Sequence, residues 1–266
     1  AMRYSDIKSD GYIRRTGSDH SSGQLTGLYR DDKTMLKFKI LTGREHTGIG
    51  WWGVPADSLK TNRRYNPSGE YTDENGIRKY YSNESDNYKQ DHYHLIFNRK
   101  ITGNLLFNTA FHYTKGKGYY EEYREDQAYE DYGLAPVTIG TETVGSTDLI
   151  RRKWMSNDFY GLVYSLKYKK NRLEAILGGG MNTYLGDHFG KIIWMQTSGT
   201  TEKDHEWYFN DSRKREGSIY GKANFALTEK TNVFADLQYR QIDYRMRGVD
   251  DDLKDIGQVH DYKFFN

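Results

Sequence analysis

Asp158–Trp194, DFYGLVYSLKYKKNRLEAILGGGMNTYLGDHFGKIIW, reads as two long strands joined by a tight turn at Lys169–Arg172. Side chains alternate between the faces of a strand, so residues two apart share a surroundings. On the first arm Tyr160, Leu162, Tyr164, Leu166 and Tyr168 share one face, while Gly161, Val163, Ser165, Lys167 and Lys169 share the other. After the turn, Leu173, Ala175, Leu177, Gly179, Met181, Thr183 and Leu185 form the apolar side, opposite Glu174, Asn182, Tyr184 and Gly186. Both arms far exceed the usual strand of about 5 to 6 residues, and length separates a membrane strand from an ordinary one.

Working outward, the same unit recurs. Thr34 to about Glu45 places Leu36, Phe38 and Ile40 on one face against Lys37 and Lys39. Tyr88–Asn98 and a strand from Leu105 that reaches Tyr119 and Tyr120 form a hairpin, and Ser218–Leu227 with Asn232–Arg247 form another. Between the hairpins lie long stretches without sustained periodicity, at about 46–87, 121–155 and 196–213. Connections therefore alternate between short and long. The predicted fold class is all-β: an antiparallel up-and-down meander of about 9 to 10 long strands, with tight turns at one end and long loops at the other.

Composition agrees. The 266 residues hold 24 Tyr, 11 Phe and 5 Trp in a chain whose charged fraction is 29%, so the rings are spent at interfaces rather than in one large core. A formal net charge of +2 supplies no field to recruit nucleic acid. The lack of Cys removes any disulfide framework and any thiolate metal site. No run approaches the roughly 18 apolar residues of a membrane helix. Gly178–Gly180 interrupts a strand instead of opening a helix, which suits close packing and not phosphate binding. With no nucleophile elbow, zinc-protease motif or phosphate loop, the sequence gives no reason to expect an enzyme or a cofactor.

Several stretches, in order along nearly the whole chain, carry a resemblance: SDGYIRR (Ser9–Arg15), GVPADSLKTNRRYN (Gly53–Asn66), NYKQDHYHLIFN (Asn87–Asn98), YTKGKGYYEEYR (Tyr113–Arg124), DLIRRKWMSNDFYG (Asp148–Gly161) and FADLQYRQIDYRMRG (Phe234–Gly248). Together they resemble the barrel of a TonB-dependent outer-membrane receptor. The resemblance implies a segment of a transmembrane β-barrel of about 22 strands, with the plug domain outside residues 1–266. It implies the outer membrane of a Gram-negative cell, outer-membrane lipid around the barrel, and the TonB complex as a partner acting through the plug. The implied cargo is a scarce nutrient of the iron chelate, haem or cobalamin class, and a section without plug or closing strands is expected to be incompetent for transport.

Binding residues concentrate on long loops carried by a rigid scaffold. The candidates are Trp51, Trp52, Tyr65, Tyr71, Tyr80 and Tyr81 in the first long loop, Tyr129 and Tyr132 in the second, and Trp207 and Tyr208 in the third. The competing reading has these rings packing the loops together or resting at the membrane interface. His92 and His94 share a strand face that His112 opposes, so three imidazoles converge there, although an ordinary hydrated interior also needs such groups; no metal site is assigned. Glu121, Glu122, Glu125 and Asp126 read as a solvated loop. Two rivals remain: a passive channel, and a soluble all-β module of carbohydrate-binding type, which requires the face bearing Tyr160, Leu162, Tyr164 and Leu166 to be buried inside the protein.

Overall fold

The computed structural model describes all 266 residues. Fourteen strands form in chain order: β1 (Met2–Ser9), β2 (Ser18–Arg30), β3 (Thr34–Gly48), β4 (Glu70–Thr72), β5 (Arg78–Tyr80), β6 (Ser85–Thr102), β7 (Leu105–Ala128), β8 (Val137–Ile139), β9 (Glu142–Val144), β10 (Ser146–Lys170), β11 (Leu173–Met195), β12 (His205–Ala226), β13 (Asn232–Gly248) and β14 (Gln258–Phe265). Ten make one antiparallel sheet in the order β1-β2-β3-β6-β7-β10-β11-β12-β13-β14. The remaining four are small hairpins inside two of the long loops, β4 with β5 and β8 with β9. Every strand of the large sheet pairs with its neighbours in sequence, so the expected meander is the observed topology.

Tight turns gather at one end. Between β2 and β3, the Asp31 carboxylate accepts the N–H groups of Lys33 at 2.8 Å and Thr34 at 2.7 Å, closing the turn with its own side chain. Between β10 and β11 the chain reverses at Asn171 with φ 51°, a left-handed conformation that Asn tolerates. The other end carries the long connections, residues 10–17, 49–84, 129–145, 196–204 and 249–257.

The register places the apolar residues in continuous rows. Leu36, Phe97, Thr109, Tyr164, Gly179, Ile219, Tyr239 and Phe265 stand directly opposite one another across eight strands. The next row holds Phe38, Leu95, Phe111, Leu162 and Met181, and the one above it aligns Tyr93, Tyr113 and Tyr160. Tyr93 and Tyr113 stack at 5.9 Å, and the Tyr113 hydroxyl donates to Asp158 at 2.6 Å. Apolar rows capped by a row of hydroxyl-tipped rings match a lipid band and its interfacial aromatic girdle. No second layer covers this face; Phe111 is 48% exposed. The soluble-module reading required that face to be buried, and it fails here.

The opposite face is polar. Asn98 donates to Asn108 at 2.5 Å, and Asn108 donates to Ser165 at 3.2 Å, while Glu216 pairs with Arg240 at 2.8 Å. Gly116 and Gly118 let Tyr88 lie flat across the neighbouring strand, because a Cβ on Gly116 would stand 2.1 Å from the Tyr88 hydroxyl. His94 opposes His112 across the β6–β7 pair, as expected, but His92 spends both ring nitrogens on Thr114 at 2.9 Å and Gln90 at 3.1 Å. No group of three or more His, Asp or Glu side chains is set to hold a metal ion.

The strands run further toward the long-loop end than the sequence reading placed them. Residues 121–128, 146–155 and 205–213 belong to β7, β10 and β12, not to loops. The first strand stops at Ser9. With Phe111 near the middle of the apolar rows, Phe111→Arg is expected to weaken insertion into lipid vesicles by about 2 to 4 kcal/mol. His112→Arg, one residue along and on the polar face, is expected to leave insertion within experimental error of the parent when the two are titrated side by side with urea.

Candidate functional site

Three structures meet at the long-loop end. The first is a brace between the connection 10–17 and the connection 49–84. Arg15 adopts φ 61° in a turn, which aims its guanidinium at the carbonyls of Asn66 and Ser68 and lays it over the Tyr80 ring at 3.8 Å. Asn66 answers by donating to the carbonyls of Arg14 at 2.9 Å and Ile49 at 2.8 Å. A fully buried Asn with its amide spent on two backbone carbonyls fixes where the loop enters and leaves.

The second is a pair of ion pairs between β7 and β10, where the sequence pattern suggested a solvated acidic loop. Glu121 is 1% exposed and accepts from Arg152 at 2.6 Å, from Asn83 at 2.5 Å and from the Tyr81 hydroxyl. Glu122, equally buried, takes two N–H groups of Arg151 at 2.9 Å and 3.1 Å, and Arg151 in turn donates to the Tyr132 hydroxyl at 3.0 Å. The reading of Glu121 and Glu122 as solvated is corrected. They are adjacent on a strand and so point to opposite faces, each meeting the arginine directly across from it.

The third is the hydrophobic core of the loop end: Tyr132, Leu149, Ile192, Trp207 and Tyr208, with Leu134, Met195, Val249 and Leu253 packed against it. It draws residues 129–145 and 249–257 together over the polar face of the sheet. The Trp207 indole donates to the Asp251 carbonyl at 3.3 Å, and the Asp251 carboxylate meets Lys153.

The ten aromatic candidates separate accordingly. Trp51 and Trp52 are 52% and 61% exposed, and Trp51 stands edge-on to Tyr120 at 5.0 Å. Tyr65, Tyr71, Tyr80 and Tyr81 are half-buried and anchored, to Glu70, the Tyr123 ring, Arg15 and Glu121 respectively. Tyr129 donates to the Thr197 carbonyl at 2.6 Å; with Tyr132, Trp207 and Tyr208 it is buried. Only the two tryptophans offer a free face at the rim.

Next to Trp51, which meets its lining residue Tyr120, the structure contains a hollow of about 600 Å³ on the polar face, lined by Tyr88, Tyr120, Lys153, His188, Tyr208 and Asp251 among others. Burial pushes the Tyr120 phenol up to about 12, with Glu122 adding to the effect, and burial also raises Tyr208, so both present hydroxyl donors rather than phenolates. Of this lining only Tyr208 is among the sequence candidates. Asp251 lies in the connection 249–257, and Tyr88, Tyr120, Lys153 and His188 lie on the outer ends of β6, β7, β10 and β11, where the alternation continues as Tyr120/Glu122 and Arg151/Lys153 but with no apolar face to reveal it.

Truncating one member of a buried ion pair leaves its partner charged and unpaired, so Glu121→Ala is expected to lower stability by about 3 kcal/mol in thermal or denaturant unfolding. Glu84, at the end of the first long loop and outside the apolar band, has a different sensitivity. Burial raises its carboxyl to about 7, opposed by the Tyr123 N–H at 3.0 Å and reinforced by Glu122. Between the ordinary value of 4.5 and about 7 the folded loop holds a proton that the opened loop releases, so loop stability falls as pH rises through that window. Limited proteolysis within 49–84 is expected to be slower at pH 5 than at pH 8, and Glu84→Gln is expected to flatten the difference.

No protein-family model matches the chain, and no curated protein matches it. Solved structures do. The ferric-catecholate import receptor Fiu from E. coli K12, in its closed form, aligns over 100% of this chain and 42% of its own, at 10% identity and a TM-score of 0.62. The ferric citrate transporter FecA, unliganded, aligns over 100% of this chain and 35% of its own, at 10% identity and TM-score 0.63. BauA, the ferric preacinetobactin receptor from Acinetobacter baumannii, aligns over 98% of this chain and 38% of its own, at 9% identity and TM-score 0.57. The chain thus spans well under half the length of these proteins. Long strands in sequential antiparallel order, an apolar face with an aromatic edge, and one-sided long loops give it the fold of a section of the barrel of TonB-dependent outer-membrane receptors.

Proposed function

We propose that this chain is part of an outer-membrane receptor that captures a scarce nutrient and passes it inward by TonB-energised transport, with binding rather than chemistry as the task of the residues described. The observation that carries the reading is the position of the hollow: it lies on the polar face of a sheet whose other face is apolar, and its lining residue Tyr120 meets the exposed Trp51 edge-on at 5.0 Å. A molecule arriving from outside meets Trp51 and Trp52 first, then the hydroxyls of Tyr88, Tyr120 and Tyr208 and the Lys153 ammonium. Flat rings and phenol donors suit an aromatic, oxygen-rich chelate; Lys153 is already paired with Asp251, and Glu45, Asp86 and Asp250 also line the hollow, so stacking and hydroxyl donation rather than positive charge would select the ligand. The similar structures named for ferric-catecholate and ferric citrate import support the iron-chelate class over haem or cobalamin. In the intact receptor, transport needs the plug domain and the TonB complex that pulls on it.

Tryptophan fluorescence titrated with a ferric catecholate chelate, against ferric citrate and iron-free catecholate, tests the reading. Quenching by a ferric chelate that the double variant Trp51→Ala/Trp52→Ala weakens about tenfold is expected, since truncated aromatic anchors each cost upward of about 1 kcal/mol. The variant retains Trp154, Trp194 and Trp207 as reporters of folding and of ligand in the hollow. Equal Kd in parent and variant sinks the assignment of the rim tryptophans.

A further inference from the structure

The register lays out the floor of the hollow on the polar face. One row aligns Glu45, Tyr88, Gly118, Met155 and His188, and the row outside it aligns Thr47, Asp86, Tyr120, Lys153, Gly190 and Tyr208. Two of these places are glycine, and rings lie over both. A Cβ on Gly118 would stand 2.6 Å from the Tyr88 ring, and one on Gly190 would stand 2.4 Å from the Tyr208 ring. Asp250 and Asp251 join the lining from the connection 249–257.

The charges around this space do not balance. Glu45, Asp86, Asp250 and Asp251 stand against Lys153 and His188, the basic side chains of the lining. Asp251 already occupies Lys153, and Glu45 has only the His20 imidazole, at 3.6 Å. Asp86 and Asp250 meet no cation. Burial raises the Asp86 carboxyl, with the Asn87 N–H opposing it. The phenols are unsatisfied as well. Tyr208 is 6% exposed, and its hydroxyl, like that of Tyr120, has no hydrogen-bond partner in the chain. Buried polar groups are as a rule bonded, so a buried hydroxyl on the wall of a cavity is left for whatever fills it.

We infer that the hollow takes a chelate carrying a protonated alkylamine, its ammonium drawn to Asp86, Glu45 and Asp250 and its oxygens to the hydroxyls of Tyr120 and Tyr208. Tyr120 stands directly opposite Asp86 across the β6–β7 pair, which brings a ring and a carboxylate to one place. The chain shows the fit with a residue of its own: the Lys153 ammonium lies 6.0 Å from the Tyr120 ring centroid and against the Asp251 carboxylate. Such a pair attracts an ammonium through the ring face and through charge-assisted hydrogen bonds. A metal ion suits the place poorly, because no three acidic or imidazole groups are set to hold one. The inference deepens the capture reading and rests on it.

The probes are the ferric complexes of 2,3-dihydroxybenzoyl-lysine and of the same compound acetylated on its side-chain amine, which share their iron ligands and rings and differ in the ammonium. Each is titrated against the chain in detergent micelles by quenching of tryptophan emission. The amine form is expected to bind about tenfold tighter or more, as one charge-assisted contact provides. The isosteric variant Asp86→Asn/Glu45→Gln is expected to lose that preference while its Kd for the acetylated chelate stays at the parent value, which also reports an intact hollow. Equal Kd values for the two chelates in the parent, or an unchanged preference in the variant, overturn the amine assignment and leave chelate capture standing. Loss of the preference on adding millimolar calcium at constant ionic strength gives the carboxylates to a metal ion and overturns the assignment too. Quenching by neither chelate overturns the capture reading and this inference with it.

Discussion

The pairing of backbone N–H and C=O groups along ten long strands is the constraint on which the rest of this structure depends. In lipid an unpaired peptide group costs several kcal/mol, so a spanning segment must be a helix or a strand whose neighbours lie in register along its whole length. No helix here is long and apolar enough to cross a membrane. The strands meet the demand instead. β10 keeps paired residues on both sides, with β7 and with β11, down to Tyr168, and the register slips only near its outer end, at Thr147/Leu149 and Ile150/Arg151. Irregularity falls at strand ends: on the loop side in β10 and β11, and beside the tight turn at Lys100/Thr102 in β6. The same constraint explains the tight turns opposite, since a two-residue reversal leaves few peptide groups exposed.

That constraint also decides what could be read from the sequence. Inside the band one face must be apolar, so Tyr160, Leu162, Tyr164 and Leu166 announce both the strand and its orientation, and their observed partners Thr183, Met181, Gly179 and Leu177 are the set that alternation placed on the same side. Beyond the girdle nothing requires an apolar face. The strand continues, but Lys115, Lys117, Tyr119 and Glu121 on one side and Gly116, Gly118, Tyr120 and Glu122 on the other carry no hydrophobic period. The reading therefore ended β7 early and mistook a paired strand for an acidic loop. Glu121 and Glu122 reveal themselves only when Arg151 and Arg152 are aligned with them, and that pairing across sheet neighbours is not local information.

The site was legible in outline and not in detail for a related reason. Aromatic residues on the connections mark one end of the molecule, but such rings either pack that end together or stay exposed, and the chain contains both kinds. Tyr132, Trp207 and Tyr208 build a core that no periodicity predicts, because Tyr132 comes from a connection and packs on the outer ends of β10, β11 and β12, which are distant in sequence. Trp51 and Trp52 sit beside Gly50 and Gly53 on a stretch with no strand partner, and remain exposed. The hollow is lined mainly by strand residues, so a search restricted to loops was bound to overlook Tyr88 and Lys153.

The division of labour among the loops has a consequence for how such a mouth can move. Residues 129–145 and 249–257 share one hydrophobic core with β11 and β12, and the Lys153–Asp251 contact ties them to the wall, so displacing either exposes Tyr132 and Trp207 together. The connection 49–84 is held differently, by hydrogen bonds to backbone at Arg15 and Asn66 and by the buried carboxylates of Glu84 and Glu121. Hydrogen bonds exchange with water at little net cost, whereas a broken apolar core has no substitute partner. Opening the segment bearing Trp51 and Trp52 leaves polar groups that water can satisfy, whereas opening either of the other two leaves apolar rings in water.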